Sequence, residues 1–120
     1  MNIEELREYC LSKKQVTEEF PFDEDTLVFK VMGKIFLLMS LTSQPMSVNL
    51  KMDAERVPEY REKYKDVLPG YHMNKKHWNT VIFDGLSIPK RELLWMVDHS
   101  YDEVVKGLTR KLKDELNNLK

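Results

Sequence analysis

The sequence predicts an α+β fold: an antiparallel β-sheet of about five strands with helices packed on one face, a two-layer sandwich. Three observations carry that expectation. From Val16 to Met52 the apolar residues take on the period of strands, alternating most cleanly in Met46-Ser-Val-Asn-Leu-Lys-Met52. Gly33, and later Asp84-Gly85, punctuate the strand pattern with turns. Segments with helical spacing and capping residues stand on both sides of it.

Each element follows from local chemistry. Asn2 is a good N-cap with Glu5 in the capping-box position, so a first helix runs from Ile3 to Lys13 on the stripe Ile3, Leu6, Tyr9 and Cys10. Glu4, Glu5 and Glu8 lie near the positive end of its dipole. Phe20, Pro21, Phe22 and the acids Asp23 to Asp25 read as a turn. Leu27 to Val31 and Lys34 to Leu41 form a hairpin around Met32-Gly33, glycine supplying positive φ. Alternation sends Leu27, Phe29, Val31, Ile35, Leu37, Met39 and Leu41 inward, leaving Lys30, Lys34, Phe36 and Leu38 outside. In the next strand Met46, Val48, Leu50 and Met52 face in, and Ser47, Asn49 and Lys51 face away.

Asp53 caps a second helix reaching Tyr64, with Pro58 delaying its regular part. Trp78 to Phe83 is a strand closed by Asp84-Gly85, and Pro89 opens a helix through Val97. Ser100-Tyr-Asp-Glu103 is a capping box, so a new helix starts there and carries Val104, Val105, Leu108, Leu112, Leu116 and Leu119 on one stripe.

With 120 residues, 42% hydrophobic and 32% charged, the chain is expected to form one domain over 1–120 with a real core. The single Cys10 rules out an internal disulfide, and no Cys/His spacing suits zinc, which fits a reducing cytoplasm. No signal peptide is expected at the N-terminus, and the longest apolar run, Ile35 to Met39, is far too short to span a bilayer. A cytoplasmic monomer without cofactor, metal or membrane partner is the expectation. A net charge of −1 means that affinity for a polyanion must come from a local patch.

Pro69 to Trp78 is the densest such patch, holding His72, His77, Lys75, Lys76, Tyr71 and Trp78. No acid occurs between Asp66 and Asp84. Lysines and imidazoles can meet phosphates, backbone near Gly70 can approach closely, and an aromatic offers a stacking face. The alternative is architectural: Tyr71 and Trp78 fill the core and the lysines are solvated. That reading is preferred for the aromatics, while for the lysines both stay open. Lys30, Lys34 and Lys51 would extend the patch on one sheet face, or simply keep outer strands soluble. Glu18, Glu19, Asp23, Glu24 and Asp25 form an acidic run without EF-hand spacing. Asp98-His99-Ser100 has the residue types of a hydrolytic triad but not its geometry, and no catalytic constellation is found.

Phe20-Pro-Phe22, Phe29-Lys-Val-Met-Gly-Lys-Ile-Phe36, Lys51, Pro69-Gly-Tyr-His-Met-Asn-Lys-Lys-His-Trp-Asn79 and Asp98-His-Ser-Tyr101 occur in an order that resembles the MmcQ/YjbR-type proteins. The resemblance runs from the first helix to about Leu108, with 111–120 a C-terminal helical extension. It implies a frataxin-like α+β fold and DNA binding, for which a double-wing arrangement has been proposed, with no active site to carry over. Lys30, Lys34, Lys51, His72, Lys75, Lys76 and His77 are then the expected nucleic-acid contacts. Phe20, Pro21, Phe22, Gly33, Pro69, Gly70, Tyr71, Trp78, Ser100 and Tyr101 form the structural motif. The alternatives are a protein–protein or small-anion binding module and, through the frataxin-like resemblance, iron binding by Glu4, Glu8, Glu18 and Glu19.

Overall fold

Alternating strands with one apolar face must bury that face, and here they do so under helices. The computed structural model describes residues 1–70, 73–85 and 87–119; Tyr71, His72, Leu86 and Lys120 lie outside them. The order is α1 (Ile3–Leu11), β1 (Val16–Glu19), β2 (Thr26–Val31), β3 (Lys34–Ser40), β4 (Ser47–Lys51), α2 (Arg56–Lys63), β5 (Val67–Pro69), β6 (Trp78–Ile82), α3 (Lys90–Lys106) and α4 (Arg110–Asn118). The strands form one antiparallel sheet in the order β1-β2-β3-β4-β6-β5. The α+β expectation holds, with six strands among the described residues. β5 escaped the sequence because three residues ending in proline carry no alternation to read.

The core lies between one sheet face and the helices. Leu27, Phe29, Leu37, Met39, Val48, Leu50 and Val81 meet Leu6 and Cys10 of α1, Val57 of α2, and Leu93, Met96, Val97 and Val104 of α3. α1 begins as its capping chemistry requires, with the Glu5 N–H donating to Asn2 Oδ1 at 2.8 Å. Pro58 does not delay α2, since the helix starts at Arg56 and the proline falls in the first turn, where no intrahelical donor is needed. No helix among the described residues is long and apolar enough to cross a membrane.

The expectation that one helix ends at Val97 and another starts at Ser100 is corrected. α3 runs unbroken from Lys90 to Lys106, so Ser100-Tyr-Asp-Glu103 does not cap a new helix. Ser100 is fully buried in mid-helix and turned toward the sheet, where its hydroxyl donates to the Phe36 carbonyl at 2.5 Å and accepts the Lys51 N–H at 2.8 Å. A capping box acts only where the chain enters a helix, and nothing at Asp98 or His99 interrupts this one. The break falls instead at Gly107 and Leu108, and Thr109 caps α4 by accepting the Leu112 N–H at 3.2 Å.

Candidate nucleic-acid interface

The face of the sheet away from the helices is set by register. Met32 and Gly33 both have positive φ, 50° and 81°, the conformation that a tight hairpin turn requires. Phe29 pairs with Leu37, but the next pair is Lys30 with Ile35, which leaves Phe36 as an extra residue in β3. This β-bulge changes the alternation. Phe36 is fully buried and meets the Tyr101 ring edge-on at 5.4 Å. Ile35 comes out beside Lys30, and Lys34 pairs with Val31 on the register of the helix-covered face. The expectation that Lys30, Lys34, Lys51, Phe36 and Leu38 share one face is therefore corrected: Lys34 and Phe36 leave it and Ile35 joins it.

Farther along, Lys51 pairs with Trp78, Asn49 with Thr80 and Leu38 with Asn49, all on the helix-free face. Trp78 is half-buried there and takes no part in the main core, so the expectation that it fills the core is also corrected. Val28 and Leu38 pair across β2 and β3 on this same face and are themselves buried, apart from the main core.

The segment after β5 is bound tightly to the sheet by its backbone. The Gly70 N–H donates to the Trp78 carbonyl at 3.0 Å, and a β-carbon at Gly70 would lie only 2.8 Å from that oxygen. Only glycine allows this approach. Asn74 shapes the turn, its Oδ1 accepting the Lys76 N–H at 2.9 Å and its carbonyl accepting the Trp78 N–H at 2.9 Å. Arg61 of α2 holds the turn from the side, donating to the carbonyls of Lys75 at 2.6 Å and Trp78 at 3.2 Å. Its Nε donates to Asn79 Oδ1 at 2.6 Å, and the buried Asn79 amide donates onward to the Val57 carbonyl at 3.3 Å. Sequence reasoning missed Arg61. An arginine in an exposed-looking helical stretch gives no sign that its fork ends on loop carbonyls.

Fixing the backbone leaves the side chains free. Lys75 and Lys76 are exposed, His77 is half-buried, and Met73 turns onto the helix-free face. There Met73 lines a cleft of about 480 Å³ together with Phe22, Ile35, Leu38 and Asn49. Phe22 is 65% exposed at its rim and Phe20 is 50% exposed, so two aromatics of the Phe20-Pro21-Phe22 turn face solvent. Lys30 is ion-paired with Glu19. Lys34, Lys51, Lys75 and Lys76 have no ion pair among the described residues. The expected contacts thus divide. Lys51 stands beside Trp78 on this face, Lys75 and Lys76 are exposed in the turn that leads into Trp78, Lys30 is ion-paired with Glu19, and Lys34 lies at the hairpin tip. Tyr71 and His72 fall outside the described residues.

The acidic residues do not converge. Glu18 is on the helix side, where Arg7 of α1 donates to it through Nε at 2.7 Å and Nη2 at 2.5 Å, and this pairing holds its carboxyl below the usual carboxylate range. Glu19 follows it in the strand and so faces the opposite way, toward Lys30. Those two residues of the iron-binding expectation therefore sit on opposite faces of the sheet. Asp98, His99 and Ser100 also diverge, as successive helical residues must. Asp98 receives Tyr9 Oη at 2.7 Å and pairs with Lys13, His99 turns toward Asp53, and Ser100 turns into the sheet.

Similarity to known proteins matches this architecture. A protein-family model described as YjbR matches residues 11–103. The uncharacterized protein YjbR of Escherichia coli K12 is 33% identical over 105 residues, covering 88% of each chain. The uncharacterized protein YbdF of Escherichia coli O157:H7 is 38% identical over 92 residues, 77% of this chain and 75% of that one. The crystal structure of Deinococcus radiodurans protein DR2400, a DUF419 domain, superposes with a TM-score of 0.89 at 38% identity, covering 97% of this chain and 88% of that chain. A Pseudomonas syringae protein superposes with a TM-score of 0.75 at 25% identity, over 86% of this chain and 98% of that one.

Proposed function

This chain belongs to the YjbR family, and from that premise we propose that it binds DNA without catalysing a reaction on it, through the helix-free face of its sheet. One observation carries the reading. Met73 reaches the cleft beside Leu38 and Asn49, so the turn bearing Lys75 and Lys76 is joined to the face that carries Lys51 and Trp78. Lysine ammonium groups would meet phosphates, and Trp78 and Phe22 offer flat surfaces to unstacked bases. Asp23, Thr26, Ser40 and Asn49 share the cleft with its apolar residues, and the carboxylate would repel phosphate, which favours contact with bases or sugars there.

The electrostatics set the scale. A net charge of −1 supplies no general attraction, and few lysines on the face are unpaired. Binding is modest and strongly weakened by salt, with a log–log slope of about −0.9 per phosphate contacted on duplex and about −0.7 on single strands. Fluorescence anisotropy of labelled oligonucleotides at low salt tests this. Binding that weakens with salt, and is lost in Lys51→Glu/Lys75→Glu/Lys76→Glu, supports the reading. Absence of binding at low salt, or a triple variant that binds like the parent, removes it.

The exposed Phe22 and the apolar cleft favour one alternative, a protein-docking surface at the same place. Its signature is a partner whose capture is lost in Phe22→Ser while oligonucleotide affinity stays as in the parent.

A further inference from the structure

On the other side of the molecule, His99 and Glu103 stand four residues apart on α3 and share one helix face. Asp53, in the link between β4 and α2, approaches them from a second element. His99 Nε2 lies 3.3 Å from Asp53 Oδ2 and 3.9 Å from Glu103 Oε1, and one ligand atom from each of the three residues lies within 4.8 Å of the others. We propose that Asp53, His99 and Glu103 form a binding site for a divalent first-row transition-metal ion such as zinc.

One ligand pair is already at metal-binding distance. Bonds of about 2.0–2.2 Å to nitrogen and oxygen place neighbouring ligand atoms roughly 3.0–3.4 Å apart around one ion. The Asp53–His99 separation of 3.3 Å already meets this, while Glu103, 3.9 Å from His99 and within 4.8 Å of Asp53, must move its carboxylate toward both. The imidazole is held in place, stacked on Trp95 at a centroid distance of 4.9 Å and 8° between planes. Its Nε2 lone pair accepts the Asp53 N–H at 3.3 Å, a long contact that a bound ion would replace.

The surroundings point to a cation. The three side chains line a cleft of about 680 Å³ in which the carboxylates of Asp53, Glu55, Glu59, Asp102 and Glu103 outnumber the cations of Arg56 and Lys106. His99 and Glu103 side chains are only 16% and 13% exposed, so their interaction with an ion is less screened than at an open surface. Two side-chain cations now pair with these carboxylates, Arg56 with its Nε 2.9 Å from Asp53 Oδ2 and its guanidinium 5.3 Å from the Trp95 ring centre, and Lys106 with its Nζ 3.9 Å from Glu103 Oε2, so a metal ion would displace Arg56 from the shared oxygen. One imidazole with two carboxylates suits zinc, manganese, iron or cobalt over magnesium or calcium, which prefer oxygen alone.

The test uses the full chain without a histidine tag, titrated with cobalt(II) by visible absorption and with zinc(II) and magnesium(II) by calorimetry. One equivalent of cobalt and zinc, with magnesium much weaker, is expected. Asp53→Asn and Glu103→Gln should each weaken zinc at least about 10-fold, the scale on which loss of even an outer-shell partner weakens a metal site. Circular dichroism must show each variant folded, and these two keep the shape of the parent side chains. Glu18→Gln/Glu19→Gln should bind as the parent does. No stoichiometric cobalt or zinc, magnesium as tight as zinc, or unchanged affinity in Asp53→Asn and Glu103→Gln would overturn the proposal.

Discussion

The hydroxyl of Ser100, in the middle of α3, donates to the carbonyl of the bulged Phe36 at 2.5 Å. The same oxygen accepts the Lys51 N–H at 2.8 Å, so one side chain ties the helix to two adjacent strands. Ser100→Ala leaves a buried carbonyl and an amide without partners, and should cost about 1–3 kcal/mol. Urea unfolding measures it, and a loss below a few tenths would show that water replaces the hydroxyl.

Gly70 and Gly33 are glycines for different reasons, and substitution separates them. At Gly70 a β-carbon meets the Trp78 carbonyl at 2.8 Å, so Gly70→Ala forces the turn away from β6, costing about 1–3 kcal/mol. At Gly33 there is open space but φ is +81°, so Gly33→Ala costs about 1–2 kcal/mol from backbone conformation alone. Gly33→Asn should recover part of that loss, because asparagine tolerates this conformation. Gly70→Asn should be worse than Gly70→Ala. Urea midpoints of the four variants decide the matter.

Glu18 links stability to pH through Arg7. Hydrogen bonding to Arg7 lowers its folded pKa below the unfolded value, so its contribution is present above the unfolded carboxylate pKa. It is lost as pH falls through the lower folded value. Glu18→Gln should therefore flatten the acid limb of a stability–pH curve below about pH 4.3, by on the order of 1 kcal/mol or less for a partly exposed pair. An unchanged acid limb would show that the pair is solvated away.

Cys10 is fully buried, and burial pushes its thiol up to about 12. The thiolate that reacts with labelling reagents is thus almost absent in the native protein near neutral pH. Labelling with a chromogenic disulfide should proceed only as fast as the protein opens, and should accelerate to the rate of a free thiol in denaturant. Native labelling at the free-thiol rate would contradict the packing of α1 on the sheet.

How much of this could be read in the chain depends on how locally each feature is determined. The start of helix 1, the hairpin turn and the inward set Met46, Val48, Leu50 and Met52 are fixed by caps, glycine and alternation and stand as expected, while helix 1 ends at Leu11, two residues short of Lys13. Phe36 was misplaced because a bulge inserts one residue without any mark in the alternation. Ser100 was misread because the same four residues can cap a helix or sit inside one, and tertiary contact with Phe36 decides which. The basic cluster was visible as composition. Its union with Lys51 and Trp78 depends on β4 pairing with β6 across an intervening helix, which no local pattern encodes. For Asp53, His99 and Glu103 the only trace in the sequence was the spacing of four between His99 and Glu103.

If DNA docks on the helix-free sheet face, amide chemical-shift mapping should locate it there. The labelled protein is titrated with a short oligonucleotide at low salt. The expected shifts concentrate at Lys51, Met73, Lys75, Lys76, Trp78 and Thr80, with smaller ones at Ile35 and Asn49, all reversed by added salt. Shifts confined to α3 and α4, or none at all when the oligonucleotide is in excess, would contradict it.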